Sequence, residues 1–210
     1  MYPRRGSQRG FVSSRQALVL LALLFLTPVF VAWFMHMSAD HGWRPSGTTN
    51  KGVLIQPPRP LVLPNGLVRV TGEPLNQAFL RGKWTLIYIG SAACDAGCRQ
   101  SLDAMARAHI ALGENMRRVQ RLFLVTGETA EAGMPTLLAD FPELVAARLS
   151  TGQAAEIAPA FGVEDGPLRN SGSIYLADPM GNLMMYYRLD TDPRGIIQDL
   201  QRLLKYSFIG

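Results

Sequence analysis

The chain has 210 residues, with 21 lysine and arginine side chains against 16 aspartate and glutamate side chains. Four arginines, at positions 4, 5, 9 and 15, precede a long apolar segment, so residues 36–210 carry only 17 basic against 16 acidic side chains. The net charge of +5 therefore arises at the N-terminus. This distribution excludes the broad basic surface that nucleic-acid binding requires.

An uncharged segment, ALVLLALLFLTPVFVAWFM, follows the basic tail from Ala17 to Met35. At a rise of about 1.5 Å per residue, its length matches the hydrocarbon core of a bilayer, about 30 Å. The basic flank predicts a cytoplasmic N-terminus and a single-pass anchor in the inner (cytoplasmic) membrane, with the following chain in the periplasm. A cleaved signal peptide is the alternative, although the apolar run exceeds the usual roughly 7–15 residues and no A-x-A site follows it.

These patterns divide the chain into four predicted parts. Residues 1–16 form a cytoplasmic basic tail, 17–35 the transmembrane anchor, 36–51 a polar tether, and 52–210 one folded domain. The proline-rich start of that domain predicts extended structure at a sheet edge, because proline lacks a backbone donor and is tolerated there.

Inside the domain, apolar runs predict buried strands at Trp84–Ile89 and Leu122–Thr126. Two further β-prone runs, Ser173–Ala177 and Leu183–Tyr187, flank the turn-rich DPMGN and predict a hairpin. We expect these four strands to form one central sheet.

Apolar residues at spacings of three and four predict the helices. The first helix follows the cysteines and ends at Gly113, with an apolar face made of Leu102, Met105, Ala106, His109, Ile110 and Leu112. Further helices are predicted at Thr136–Leu149, Ala154–Phe161 and Pro193–Leu204, the first of them interrupted or kinked at Phe141-Pro142. The alternation of strands and helices predicts an α/β fold, a thioredoxin-like domain preceded by one N-terminal transmembrane helix.

The chain has only two cysteines, Cys94 and Cys98, in the stretch GSAACDAGCRQ between the first strand and the first helix. A spacing of four brings both side chains to one side of a helical first turn, where they can share a metal ion or close a disulfide. The helix dipole and unpaired N–H groups favour the thiolate form there. A purely structural disulfide is one interpretation, but so short a loop stabilises the fold little, and a reactive or metal-binding pair is favoured.

The stretch GKWTLIYIGSAACDAGCRQSL, Gly82 to Leu102, resembles the corresponding segment of the Sco/SenC proteins, which are membrane-anchored thioredoxin-fold factors for copper delivery to cytochrome c oxidase. The resemblance extends over about Leu61 to Leu204. Its later part is the family motif Y-L-x-D-P-x-G, reproduced here by Tyr175, Leu176, Asp178, Pro179 and Gly181. The resemblance implies that Cys94 and Cys98 are the catalytic or Cu(I)-binding residues.

Two positions depart from the family pattern. The family's third copper ligand, a histidine five residues before the motif tyrosine, corresponds to Asn170, and an amide is a poor ligand for the soft Cu(I) ion. Many members also carry proline after the first cysteine, where this chain has Asp95. A carboxylate next to Cys94 disfavours the thiolate.

Other soft donors are candidates for the missing ligand. His36 and His41 stand with Met35 and Met37 in MHMSADH, which we interpret as interfacial and tether sequence. His109 lies on an apolar helix face and is interpreted as a core histidine. Thioether ligands are conceivable from the hairpin, at Met180, Met184 and Met185, although methionine in such runs more often fills a core.

Three functions are compatible with these residues. The first is a Sco-like role in oxidase assembly, by thiol redox or transient Cu(I) handling, with a cytochrome c oxidase subunit or another copper or thiol protein as the partner. The second is a general thiol-disulfide oxidoreductase or peroxidase, which the C-x-x-x-C spacing and the lack of proline before Ser173 disfavour. The third is a membrane scaffold without chemistry, which the loss of histidine at position 170 supports and the retained cysteine pair opposes.

The charge distribution makes a prediction about topology. An alkaline phosphatase fused after Gly210 should be active, because the arginine-rich tail is retained in the cytoplasm and the rest is exported. A reporter that is active only in the cytoplasm, fused at the same position, serves as the control. Activity of that reporter together with an inactive phosphatase would contradict the predicted orientation.

Overall fold

The computed structural model of the chain describes residues 13–39, 49–127, 133–162 and 172–207. The chain divides into two units, Met1–Thr48 and Thr49–Gly210. The first contains helix α1 (Ser14–Ala39), whose segment Arg15–Met35 is long and apolar enough to cross a membrane by length and composition. The predicted order, one apolar N-terminal helix ahead of an α/β domain, is confirmed.

One sheet organises the second unit. Among the described residues it has seven strands, in the order β1-β7-β6-β3-β4-β5-β2. Their bounds are β1 (Val53–Pro60), β2 (Val68–Arg69), β3 (Trp84–Ser91), β4 (Val119–Thr126), β5 (Leu144–Leu149), β6 (Ser173–Ala177) and β7 (Asn182–Arg188). All four predicted strands are present and lie next to one another in the middle of the sheet.

The connections follow from the strand directions. Strands β3, β4 and β5 are parallel, and parallel neighbours require a crossover connection. Helices α2 (Ala96–Ala111) and α3 (Met134–Asp140) lie in the two crossovers. On the other side of β3, β6 pairs antiparallel with β3, β7 with β6, and β1 with β7. Two further helices are α4 (Thr151–Ile157) and α5 (Pro193–Tyr206).

The core has two layers, one on each face of the sheet. Because successive strand residues point to opposite faces, Leu86 and Tyr88 enter one layer while Ile87 and Ile89 enter the other. The first layer is covered by α2 and α5, and the second by the α4 region, with all four of these β3 side chains fully buried. This double burial explains why β3 is a continuous apolar run in the sequence.

The predicted helix Thr136–Leu149 is wrong in its second half. The helix α3 ends at Asp140, and the chain turns through Phe141-Pro142-Glu143 into strand β5. Proline removes a backbone donor from a helix interior, and pairing of LVAARL with β4 outweighs the helix propensity of its leucine, alanine and arginine residues. A buried arginine of β4, Arg121, donates from its guanidinium group to the carbonyl of Pro142, which fixes the turn.

The prediction that Ile110 lies on the apolar face of α2 is also wrong. Leu102, Met105 and His109 are buried as expected, but Ile110 is 70% exposed. Each residue of a helix advances about 100°, so position 110 lies beyond the stripe that faces the sheet. The helix ends at Ala111, and Gly113 begins a short 3-10 segment with a φ of +57°.

The start of the domain is fixed to α5 by a buried carboxylate. Asp199 is 3% exposed, and its Oδ2 accepts the backbone N–H groups of Lys51 at 2.8 Å and Gly52 at 2.9 Å. A Cβ atom at Gly52 would lie 2.5 Å from the sulfur of Met185, so only glycine fits there. Burial and the neighbouring Asp199 carboxylate raise the pKa of Tyr187 far above its usual value, so its hydroxyl stays neutral beside this contact.

We therefore expect Asp199→Ala to lower the free energy of unfolding of the full-length chain by about 2–4 kcal/mol, because two backbone donors lose a charged acceptor while buried. Urea unfolding in detergent measures the change. The matched control is Asp190→Ala, which removes an exposed carboxylate and should change stability by less than about 0.5 kcal/mol. Equal effects of the two substitutions would contradict the assignment.

Candidate thiol site

The two cysteines lie in the junction between the central strand β3 and helix α2. The backbone N–H of Cys94 donates to the carbonyl of Ser91, the last residue of β3, at 3.1 Å. Cys98 lies in the first turn of α2, which begins at Ala96. The predicted strand-to-helix junction is therefore where both side chains are found, at the carboxyl end of the parallel strands.

Cys94 and Cys98 form a disulfide, with 5.1 Å between their Cα atoms. Cys94 is 5% exposed and Cys98 only 1%, so a reacting group reaches Cys94 more readily. Cys94 also has a φ of +38°, a left-handed conformation that costs a non-glycine residue roughly 1–2 kcal/mol. Unfavourable backbone conformations of this kind concentrate at functional sites.

Asp95 has a role that the sequence interpretation missed. It is the N-cap of α2, and its Oδ1 accepts the backbone N–H of Cys98 at 2.8 Å. The carboxylate therefore occupies one of the donors that could otherwise stabilise a thiolate. Aspartate directly before a helical run is a standard capping signal, and it could have been recognised from the sequence.

The far side of the first turn of α2 contacts the end of the hairpin. A Cβ atom at Gly97 would lie 3.5 Å from the Cδ2 of Leu189, so this half-exposed leucine packs beside the cysteine loop. A shallow groove opens at Leu189, lined by Gly172, Ser173, Arg188, Leu189 and Asp190. The groove therefore adjoins the first turn of α2 through Leu189.

The predicted core histidine is confirmed. His109 is 5% exposed, and its Nε2 lies 2.9 Å from the carbonyl oxygen of Met116 and 3.0 Å from that of Val119. Val119 pairs with Trp84 at the start of β3, seven residues or roughly 23 Å along the strand from Ser91. His109 therefore lies near the amino-terminal ends of strands β3 and β4, whereas the cysteines follow the carboxyl end of β3.

The hairpin methionines are also placed away from the cysteines. Met180 is 63% exposed in the turn, next to Pro179, whose carbonyl accepts the N–H of Gly82 ahead of β3. Met185 pairs with Leu176, which in turn pairs with Leu86 near the middle of the sheet. Met185 is buried in the core and Met184 packs against the same core layer, as expected for core filler.

Other predicted candidates lie beyond what the structure describes. Asn170 and His41 are outside the described residues, and His36 lies in α1 without a described side chain. Within the described ranges, no group of three or more histidine, cysteine, aspartate or glutamate residues is arranged to hold a metal ion. Of the predicted ligand residues whose side chains the structure describes, the two cysteines are the ones that lie together at this site.

The capping carboxylate makes a prediction about reactivity. In the reduced protein, Asp95→Asn should increase the thiolate fraction of the cysteine pair, because asparagine still caps the helix but removes the negative charge. Alkylation by iodoacetamide at neutral pH should become severalfold faster. Asp103→Asn, which removes a carboxylate of the same helix that pairs with Arg107, is the control and should change the rate little. An unchanged or slower rate in Asp95→Asn would contradict the electrostatic role of Asp95.

Known proteins resemble this chain in sequence and in fold. A protein from Stutzerimonas stutzeri, which carries the provisional description of a copper-binding protein, is 25% identical over 182 residues, covering 76% of this chain and 88% of its own length. The copper-bound structure of ScoI from Bradyrhizobium japonicum superposes with a TM-score of 0.54 at 23% identity, over 69% of this chain and 96% of that one. BsSco, described as a Sco-family cytochrome c oxidase assembly protein with a disulfide switch, superposes with a TM-score of 0.57 at 16% identity, over 73% and 99%.

The resemblance to Sco/SenC proteins is thereby confirmed at the level of the fold. Residues 84–207, from the first residue of β3 to the end of α5, match the model of one protein family. The chain belongs to the family described as the transmembrane-like, thioredoxin-like, C-terminal domain.

Proposed function

We propose that this chain is a membrane-anchored protein of cytochrome c oxidase biogenesis, which acts through Cys94 and Cys98 by thiol redox exchange and transient Cu(I) handling. The observation that carries the proposal is the position of the disulfide. It joins Cys94, just after the carboxyl end of β3, to Cys98 in the first turn of α2. The Sco fold and the copper-binding relative support this reaction class.

The redox step exchanges two electrons with a partner dithiol. A partner thiolate attacks the sulfur of Cys94, the more exposed of the two residues. The Cys94–Cys98 bond breaks, and Cys98 leaves as a thiolate that takes up a proton. The second partner thiolate then displaces Cys94 from the mixed disulfide. The partner is oxidised to a disulfide and this chain is reduced to two thiols; the reverse sequence reduces a partner disulfide.

Copper is the cargo in this proposal. The reduced pair offers two thiolates, the ligands that Cu(I) prefers, four positions apart and with Cα atoms close together. The donor set therefore fits a soft monovalent ion and not a hard cation such as Mg²⁺, which prefers oxygen ligands. Loading releases the two thiol protons, and transfer of the ion to a partner returns two protons to the pair.

The N-terminal apolar helix supports a membrane location for this chemistry. The apolar helix Arg15–Met35 and its arginine-rich flank support a single-pass protein in the inner membrane with the thioredoxin-like domain in the periplasm. An oxidising compartment permits the disulfide to persist between encounters. The partner in this proposal is a copper-receiving oxidase subunit or another thiol protein of oxidase assembly.

The proposal is tested by restoring the histidine of the Sco pattern. Asn170→His should tighten Cu(I) binding by the reduced full-length chain at least about tenfold, or about 1.4 kcal/mol, because imidazole is a far better Cu(I) donor than an amide. Competition with a Cu(I) chelator measures the affinity. Asn170→Gln, which keeps an amide, is the matched control and should bind as the native chain does.

The gain must depend on both thiols, so Cys94→Ser or Cys98→Ser should abolish it. If neither the native chain nor Asn170→His binds Cu(I), while the pair cycles reversibly with glutathione, copper handling is overturned and thiol exchange alone stands. If the pair neither binds Cu(I) nor exchanges with thiols, the whole proposal fails.

A further inference from the structure

A basic surface lies where the chain enters the thioredoxin-like domain. Thr49 is the first residue of the second unit, and its hydroxyl oxygen accepts a hydrogen bond from the guanidinium group of Arg202 in α5. Lys205 follows within one turn of the same helix, and its Nζ lies 5.6 Å from the ring centre of Tyr206. Tyr206 is 72% exposed, so an aromatic ring and its cation face solvent one turn from the residue that holds Thr49.

Two more cations join this surface from the segment before β4. Arg118 donates to the carbonyl oxygens of Leu204 at 2.9 Å and Ser207 at 2.6 Å, which holds the end of the 3-10 segment against the end of α5. Arg117, its neighbour in that segment, is exposed. We call the following residues the tether-end surface: Arg117, Arg118, Arg202, Lys205 and Tyr206.

Neighbouring carboxylates do not balance the charge of the tether-end surface. Elsewhere on the domain, four arginines each lie 2.6–3.7 Å from a carboxylate oxygen, namely Arg69, Arg99, Arg107 and Arg188. Among the described residues, no carboxylate forms an ion pair with Arg117, Arg202 or Lys205. Asp199 is the one acidic residue of α5 and is buried, and Glu114 is the one acidic residue of the 3-10 segment. An uncompensated group of cations favours an anionic partner.

The tether-end surface lies at the opposite end of the central strands from the cysteines. Arg118 directly precedes β4, whose first residue, Val119, pairs with Trp84 at the start of β3. The cysteine loop follows Ser91, the last residue of β3, roughly 23 Å further along the strand. A contact made by the tether-end surface therefore leaves the disulfide uncovered.

We infer that the tether-end surface binds the acidic headgroups of phospholipids in the membrane that holds the N-terminal helix. A membrane is favoured over a protein partner because only residues 40–48 separate α1 from Thr49, and a chain of that length spans at most about 36 Å. The surface that holds Thr49 is thus kept within reach of the bilayer. There each lysine or arginine strengthens binding to acidic lipid about fivefold, and an exposed tyrosine favours the interface.

Binding of the tether-end surface to lipid orients the domain. The cysteines then face away from the lipid, on the side from which a partner's thiols can approach them. The inference rests on the proposed membrane anchor. It does not rest on the proposed redox or copper chemistry, since neither cysteine takes part in the lipid contact.

The experiment uses the full-length chain in nanodiscs made of phosphatidylcholine alone or of an equal mixture of phosphatidylcholine and phosphatidylglycerol. Lys205 is one of three lysines in the chain, with Lys51 and Lys83, so mass spectrometry of peptides can follow the acetylation of its amine. At low ionic strength, Lys205 should react about fivefold more slowly or less in the acidic nanodiscs, because the headgroups cover the amine and stabilise its charged form. High salt should remove the difference.

Arg117→Gln/Arg202→Gln removes two cations of the surface and should abolish the lipid-dependent protection of Lys205. Arg99→Gln/Arg188→Gln is the matched control, because it removes two cations on the cysteine side of the domain, and it should keep the protection. Equal loss in both double variants would show an effect of net charge alone and would overturn the assignment to this surface.

The native chain decides the question even if a double variant folds poorly. Equal reaction rates of Lys205 in the two lipids would overturn the inference, with the surface then free for an acidic protein partner. A chain that is not retained in either nanodisc would overturn the membrane anchor and this inference together. Loss of Cu(I) binding and thiol exchange with Lys205 still protected would overturn only the proposed chemistry.

Discussion

The parallel pairing of β3 with β4 is the constraint on which the site depends. Eight consecutive residue pairs, from Trp84 with Val119 to Ser91 with Thr126, hold the two strands in register. Parallel strands must end at the same edge, so the cysteine loop and the connection to α3 start side by side whatever their own sequences are. Since β3 is buried on both faces, a shift of its register by one residue would exchange its side chains between the two core layers, where they would no longer fit their neighbours.

Two electrostatic influences meet at the start of α2 and oppose each other. The positive end of the helix dipole favours a thiolate at the first turn. The Asp95 carboxylate places a negative charge next to the same turn and accepts the N–H of Cys98. The same carboxylate therefore caps the helix and opposes the effect of the dipole on a thiolate in this turn.

The edges of the sheet are protected in different ways. Strand β1 carries Pro57, Pro58 and Pro60, and its pairing with β7 is interrupted between Leu54 and Arg59, which discourages a further strand from adding. The opposite edge ends in β2, a strand of only two residues. Strand β1 lies at the sheet edge, as predicted, and is mostly exposed. The two residues before it, Lys51 and Gly52, are held by Asp199 of α5.

The sequence by itself determined the elements whose signals are local. The apolar N-terminal helix, the buried strands β3 and β4, the β6–β7 hairpin with its DPMGN turn, and the amphipathic α5 were all predictable, because length, burial pattern and turn residues specify them without reference to distant chain segments. The same holds for the cysteine pair, since a strand followed by helical spacing already defines the junction in which it lies. His109 as a core residue followed from its place on an apolar helical face.

Only the tertiary structure decided the rest. LVAARL reads as helix or strand on propensity alone, and it becomes β5 because β4 offers a parallel partner and the Arg121 contact to Pro142 fixes the turn before it. The burial of Asp199 depends on the meeting of residues separated by 147 and 148 positions. Such long-range contacts leave no periodic trace in the sequence, because each partner satisfies its local pattern equally well without the other.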